Sequence, residues 1–223
     1  MEHREPVVAV IHATAATMSP VAHAFADAFP GADVWHLLDD RLVKEADRAG
    51  GLTAELEDRM NSLIEYAVDG GTDAVQLACS MYGPVATASH QPVPVFASDQ
   101  AMFDAVVALA PRRIAIIASL GPSAEDSASR LGEAVSDKGQ KPDIRTVVVP
   151  EAVAAAGAGD HALLAQLLGD AAVALGVVDV IVLAQYSLSP VATSVAERVS
   201  APVLSGPHLA ASRLGTELEG SRS

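Results

Sequence analysis

The sequence predicts an α/β protein made of two pseudo-symmetric lobes, each a mainly parallel sheet flanked by helices, with a cleft between them. Three observations predict it. Short β-branched runs alternate with longer Ala- and Leu-rich stretches of helical period. The short runs are predominantly apolar, as in parallel strands buried on both faces. A block of the first half also recurs 106 residues later.

The strand runs are Val7–Ile11, Val34–Leu38, Ala74–Ala78, Val93–Phe96, Ile114–Ala118, Ile144–Val149, Val177–Ala184 and Val203–Leu204, each bounded by Gly, Pro or polar residues. Thr53–Val68 is the clearest helix. Leu56, Met60, Leu63, Ile64 and Ala67 form one apolar stripe, with Glu55, Asp58, Arg59 and Glu65 elsewhere on the wheel. Thr53 caps its start, and Glu55 and Glu57 suit the positive end of its dipole. Gly70-Gly71 ends it. Ser123 is expected to cap a second long helix running to about Lys138. The termini, Met1–Glu5 and about Thr216–Ser223, read as frayed.

The repeat is the informative feature. Asp73–Thr87 falls on Asp179–Thr193 with seven of fifteen positions identical, among them Pro-Val-Ala-Thr. The same shift lays Val8–Ile11 on Ile114–Ile117, and a two-residue insertion then aligns Pro94–Phe96 with Pro202–Leu204. Residues 1–109 are therefore read as the first lobe, 110–215 as the second and 216–223 as a tail. A C-terminal helix packing back on the first lobe is the alternative for that last stretch. Two lobes related by a pseudo-dyad bring equivalent strand ends to one cleft, and carboxyl ends of parallel strands are where α/β sheets bind ligands.

Composition narrows the function. Half of the 223 residues are hydrophobic but only 4% are aromatic, and Asp plus Glu number 28 against 14 for Lys plus Arg, a net charge of −14. A polyanion is repelled by nucleic acid and by acidic membrane surfaces, so neither is expected as a partner. One cysteine, Cys79, excludes an internal disulfide framework and a Cys-rich zinc site. The N-terminal segment lacks the apolar run of a secretory signal, and no run reaches the roughly 18 residues of a membrane span. A cytoplasmic protein is expected. Gly157-Ala-Gly159-Asp-His-Ala162 matches a dinucleotide pattern but follows an Ala-rich helical stretch rather than a strand. No Walker loop, zinc-protease motif or nucleophile elbow is present, and the seven histidines have no ligand-like spacing. No cofactor and no metal are expected.

The equivalent strand ends carry the chemistry. The first lobe reads Leu77-Ala-Cys79-Ser80 and the second Leu183-Ala-Gln185-Tyr186-Ser187, so Cys79 and Gln185 are mates. This arrangement resembles the aspartate/glutamate/hydantoin racemase superfamily, which includes amino-acid and hydantoin racemases, maleate isomerases and arylmalonate decarboxylases. The resemblance implies a cofactor-independent enzyme acting at the α-carbon of a small carboxylate. A homodimer is a further implication. Racemising members generally use two cysteines, one per lobe. Here Gln185 stands where the second would be, which points to one-thiol chemistry.

Removing a proton or CO2 beside a carboxylate creates an enediolate, whose charge needs prearranged donors. A thiol, with an ordinary pKa near ~8.5 that a helix N-terminus can lower, acts as base when ionised and as acid when protonated. Gln185 can donate and accept hydrogen bonds but cannot shuttle protons at neutral pH. Tyr186 serves as an acid only if its pKa, ordinarily ~10, is lowered. Cys79, Gln185 and Tyr186 are thus the catalytic candidates. Ser80 and Ser187 are candidate carboxylate donors. In the superfamily the loop after the first strand contacts substrate, which adds Thr14 and His12. Their second-lobe mate, Ser119-Leu-Gly121, adds Ser119. Asp39 and Asp40 read as a solvated turn. The reaction stays open among isomerisation, racemisation and decarboxylation. A cytoplasmic carboxylate-binding sensor without catalysis is the competing class.

Overall fold

The computed structural model describes residues 4–220. Among them are eight strands: β1 (Val7–His12), β2 (Asp33–Leu38), β3 (Ala74–Leu77), β4 (Val95–Phe96), β5 (Arg113–Ala118), β6 (Asp143–Val148), β7 (Val180–Leu183) and β8 (Val203–Ser205). They form two four-stranded sheets, ordered β2-β1-β3-β4 and β6-β5-β7-β8. Every pairing is parallel. This is an α/β fold of two lobes.

The chain divides into two compact units. One holds the residues up to Ser98 together with those from Pro207 onward, and the other is Asp99–Gly206. In the first unit, Ala9, Ile11, Val75 and Leu77 of β1 and β3 are buried against Leu56, Met60, Ile64 and Ala67 of the helix Ala54–Asp69. The Thr53 hydroxyl caps that helix by accepting the Leu56 N–H, and Leu63 lies at the edge of the stripe. In the second unit, Ala115, Ile117, Ile181 and Leu183 of β5 and β7 pack on Leu164, Leu168 and Ala172 of the helix His161–Ala174.

The 106-residue repeat is visible in the hydrogen-bond register. Ile11 pairs with Leu77 in the first sheet, and their counterparts Ile117 and Leu183 pair in the second. The aspartates shared by the repeat have one structural task. Asp73 accepts the backbone N–H of Val7 at 2.7 Å, and Asp179 accepts those of Arg112 and Arg113, each at 2.9 Å. Each carboxylate thus pins the start of the neighbouring strand. The Arg113 guanidinium also bonds Asp179 and holds its carboxyl below the usual range.

Several boundaries differ from expectation. β7 starts at Val180 and not at Val177, which is 74% exposed and follows the left-handed Gly176. The helix expected from Ser123 begins at Gly121, because Pro122 supplies a helical φ in its first turn. Thr216–Gly220 is not frayed but continues the last helix, Gly206–Gly220. The first and last three residues of the chain lie outside the described residues.

The unit boundary falls at Ser98/Asp99, not at residue 110, and the last helix groups with the first unit. Side chains explain both. The helix Gln100–Leu109 is tied to the second unit by Asp99 on Arg130, by Phe103 under the Arg130 guanidinium and by the Gln140 amide on the Val107 carbonyl. The final helix brings Gly215 so close to Phe29 that a Cβ there would lie 3.2 Å from the ring. It also sets Arg213 over Phe96. The helices after β4 and β8 hold corresponding places in the repeat, so each half of the sequence gives its last helix to the other unit.

Candidate active site

Cys79 lies two residues beyond β3 and Gln185 two beyond β7. Both have extended backbone, and each opens a 3-10 turn, Ser80–Tyr82 and Tyr186–Val191 respectively. The extended conformation carries the strand direction past the sheet edge, and the turn then reverses it. Cys79 is half-buried. Tyr82, three residues on, is fully buried, with its hydroxyl donating to the Leu42 carbonyl. Burial, and then the nearby Cys79 charge, push that hydroxyl well up, so Tyr82 is no proton donor near neutrality.

The β5 and β7 ends are joined through Gln185. Its Oε1 accepts the Ser119 backbone N–H at 2.6 Å and the Ser119 hydroxyl at 3.1 Å. Ser119, predicted to hold substrate directly, instead uses both donors on the glutamine. Tyr186 is buried, and burial followed by the Asp99 charge raises its hydroxyl well above the ordinary value. That is the opposite of the lowering an acid role requires. Ser80 and Ser187 are both half-buried in the turns that Cys79 and Gln185 open.

At the β1 end, His12 is fully buried and both ring nitrogens are engaged. The Thr17 hydroxyl donates to the Thr14 carbonyl at 2.9 Å, so it accepts from His12 Nδ1 at 2.7 Å. His12 Nε2 then carries no proton and accepts from His36 Nδ1 at 2.9 Å. Burial, with His36 adding repulsion, lowers His12 to about 4, and burial lowers His36 as well. His12 therefore braces the loop rather than facing a ligand. Thr14, half-buried, caps the turn Ala15–Thr17 by accepting the Ala16 N–H.

Asp39 and Asp40 part company. Asp40 is exposed and paired with Lys44, whose hydrogen bond lowers its carboxyl. Asp39 is more enclosed than the solvated turn expected: it takes Arg59 at 2.6 Å, and Arg59 also bonds Glu45.

Sequence reading missed Thr17, His36 and the Asp99–Arg130 pair. Only His36 left a trace, since strand periodicity puts it on the same face as His12. Among the described residues, no group of three or more His, Cys, Asp or Glu side chains is placed to hold a metal. No helix among them is long and apolar enough to cross a membrane.

No family model and no curated protein matches the sequence. Solved structures do match its fold. Glutamate racemase RacE1 of Bacillus anthracis has a TM-score of 0.76 at 15% identity, covering 98% of this chain and 84% of its own. Allantoin racemase of Klebsiella pneumoniae has 0.69 at 15% identity, covering 97% and 89%. Unliganded arylmalonate decarboxylase has 0.54 at 19% identity, covering 98% and 94%. The paired parallel sheets, the repeated register and these likenesses together give the chain the fold that these two racemases and the arylmalonate decarboxylase share.

Proposed function

We propose that the protein is a cofactor-independent enzyme that transfers a proton at the α-carbon of a small carboxylate, with Cys79 as its acid and base. The observation that carries this reading is the position of Cys79. It is the single thiol of the sequence, half-buried, just beyond a buried parallel strand in a fold shared with racemases and an arylmalonate decarboxylase. The thiolate takes the α-proton from one face, leaving an enediolate. Return of that proton to the same face gives exchange, and return to another carbon of the delocalised intermediate gives isomerisation. Racemisation requires the planar enediolate to turn over before the thiol returns the proton. In decarboxylation, the C–C bond breaks to release CO2, and the thiol proton goes to the enediolate carbon. Gln185 carries no proton that titrates near neutrality, and the Tyr186 hydroxyl is held high. Both facts support chemistry on one face over symmetrical two-base racemisation. A cytoplasmic location and a homodimeric state belong to the same reading, by resemblance to the superfamily.

The Ser119–Gln185 hydrogen bonds favour a second reading, a sensor that binds a carboxylate without turning it over, since a fixed donor serves binding equally well. One experiment separates the two. The protein is incubated in D2O with a panel of α-amino, malonyl and hydroxy acids, and the α-protons are followed by NMR. An enzyme exchanges deuterium or forms product, and Cys79→Ala abolishes this while circular dichroism shows the fold retained. Unchanged exchange in Cys79→Ala overturns the mechanism. Saturable binding without exchange or product identifies the sensor.

A further inference from the structure

We propose that Ser119 is a positioning residue that locks the Gln185 side chain with its NH2 group outward, making the end of β7 selective for a carboxylate over a carboxamide. The inference rests on the reading of this strand end as part of the substrate site and specifies which chemical group meets it.

The lock follows from the donors. A backbone N–H only donates, so the atom 2.6 Å from Ser119 N must be the amide oxygen of Gln185. The Ser119 hydroxyl donates to the same oxygen at 3.1 Å. Flipping the amide would set N–H against N–H beside Ser119, which is only 4% exposed. Ser119 itself is held by its place immediately after β5, whose last residue, Ala118, is fully buried. The Gln185 Nε2 is thereby turned away from Ser119, and it makes no hydrogen bond among the described residues.

A half-buried group that presents two N–H donors and no acceptor fits a partner with lone pairs and no protons. A carboxylate meets that condition, and so does the oxygen of an enediolate formed from it. A carboxamide or ammonium group turned toward it puts donor against donor. In the first unit the corresponding positions are Ala13 and Cys79, so no hydroxyl fixes the thiol from that place. The lock belongs to the glutamine end alone.

The test uses malonate and malonamide as probes and the Gln185 side-chain NH2 signals in 1H–15N spectra as the readout. Those signals are assigned by their loss in Gln185→Glu. In the wild type, malonate should shift them saturably and bind about tenfold or more tighter than malonamide. Ser119→Ala should weaken malonate by about three- to tenfold, and Ser119→Thr, which keeps the hydroxyl, should restore it. Gln185→Glu keeps an oxygen toward Ser119 but replaces NH2 with a second acceptor, so malonamide should then bind at least as tightly as malonate. Signals unmoved by malonate, a Ser119→Ala variant that binds as wild type, or a Gln185→Glu variant that keeps the carboxylate preference each overturn the proposal. Should Ser119→Ala fail to fold, the wild-type titration and Gln185→Glu still decide it. The two readings fail separately. Exchange lost in Cys79→Ala with unmoved Gln185 signals sinks the lock alone. Exchange unchanged in Cys79→Ala with shifted signals sinks the thiol mechanism alone.

Discussion

The rings of His12 and His36 share one hydrogen bond between neighbouring strands, 2.9 Å from nitrogen to nitrogen, with His36 Nδ1 donating to the unprotonated Nε2 of neutral His12. His12 titrates at about 4 in the fold, from burial first and His36 second, against an ordinary value of 6.5. As pH falls, the unfolded chain takes up this proton before the folded one does. The stability it contributes is therefore complete above about 6.5 and drains away between there and about 4. Between pH 7.5 and 4.5, wild type should lose about 2 to 3 kcal/mol more than His12→Asn. Urea midpoints at the two pH values check this, and parallel losses would remove His12 as the cause.

Gln185→Cys puts a second thiol at the strand end that corresponds to Cys79. On the one-thiol reading, a product of one hand should become partly racemic. The gain should be small, because misplacement by about 1 Å can cost about 100-fold in rate. Ser119 also loses the acceptor for its N–H and hydroxyl, at about 1 to 3 kcal/mol of stability. Chiral chromatography of the product gives the answer, and unchanged stereochemistry with Cys79 still active refutes it.

Arg130 bonds both carboxylate oxygens of Asp99, a side chain only 3% exposed, and also bonds Asp126. Burial pushes the Asp99 carboxyl up, against the pull of Arg130. Arg130→Ala leaves a buried carboxylate without its guanidinium and should destabilise by about 3 to 5 kcal/mol. Denaturant unfolding measures it. A loss under about 1 kcal/mol would mean that the pair behaves like a surface ion pair.

The second unit is continuous in sequence, so a fragment spanning Asp99–Gly206 should fold alone. A fragment cut at 110–215 lacks the helix Gln100–Leu109 and exposes the surface that Phe103 and Val106 bury, so it should be less stable or molten. Circular dichroism and amide exchange on the two fragments distinguish them. Equal stability would mean that this helix does not belong to the unit.

Buried parallel strands announce themselves, because both faces must be apolar and the run is unbroken. Ile114–Ala118 and Val180–Leu183 are legible for that reason, and the repeat matches them to Val8–Ile11 and Ala74–Leu77 in the first half. Helix partners are less legible. An amphipathic face says that Met102, Phe103 and Val106 are buried but not against which sheet, so the transfer of Gln100–Leu109 to the second unit is silent in the sequence, whereas a C-terminal helix on the first lobe is one of the two expectations for the last stretch. The site was half legible. Strand-end position singles out Cys79 and Gln185, but whether a serine hydroxyl meets a ligand or a neighbouring amide depends on a few ångströms of loop. Ser119 turns to Gln185, and His12 finds Thr17 and His36.

The exchanged helices also set an order of events on the ribosome. Synthesis runs from the N-terminus, and domains fold as their sequence emerges. The first unit takes its closing helix from residues after Gly206, so it stays incomplete while the whole of Asp99–Gly206 is being made. The surface around Phe29 that this helix covers is bare for that interval. The second unit needs nothing beyond Gly206 and can be finished first. The unit that holds Cys79 is thus begun first and closed last, once Gly206–Gly220 has emerged.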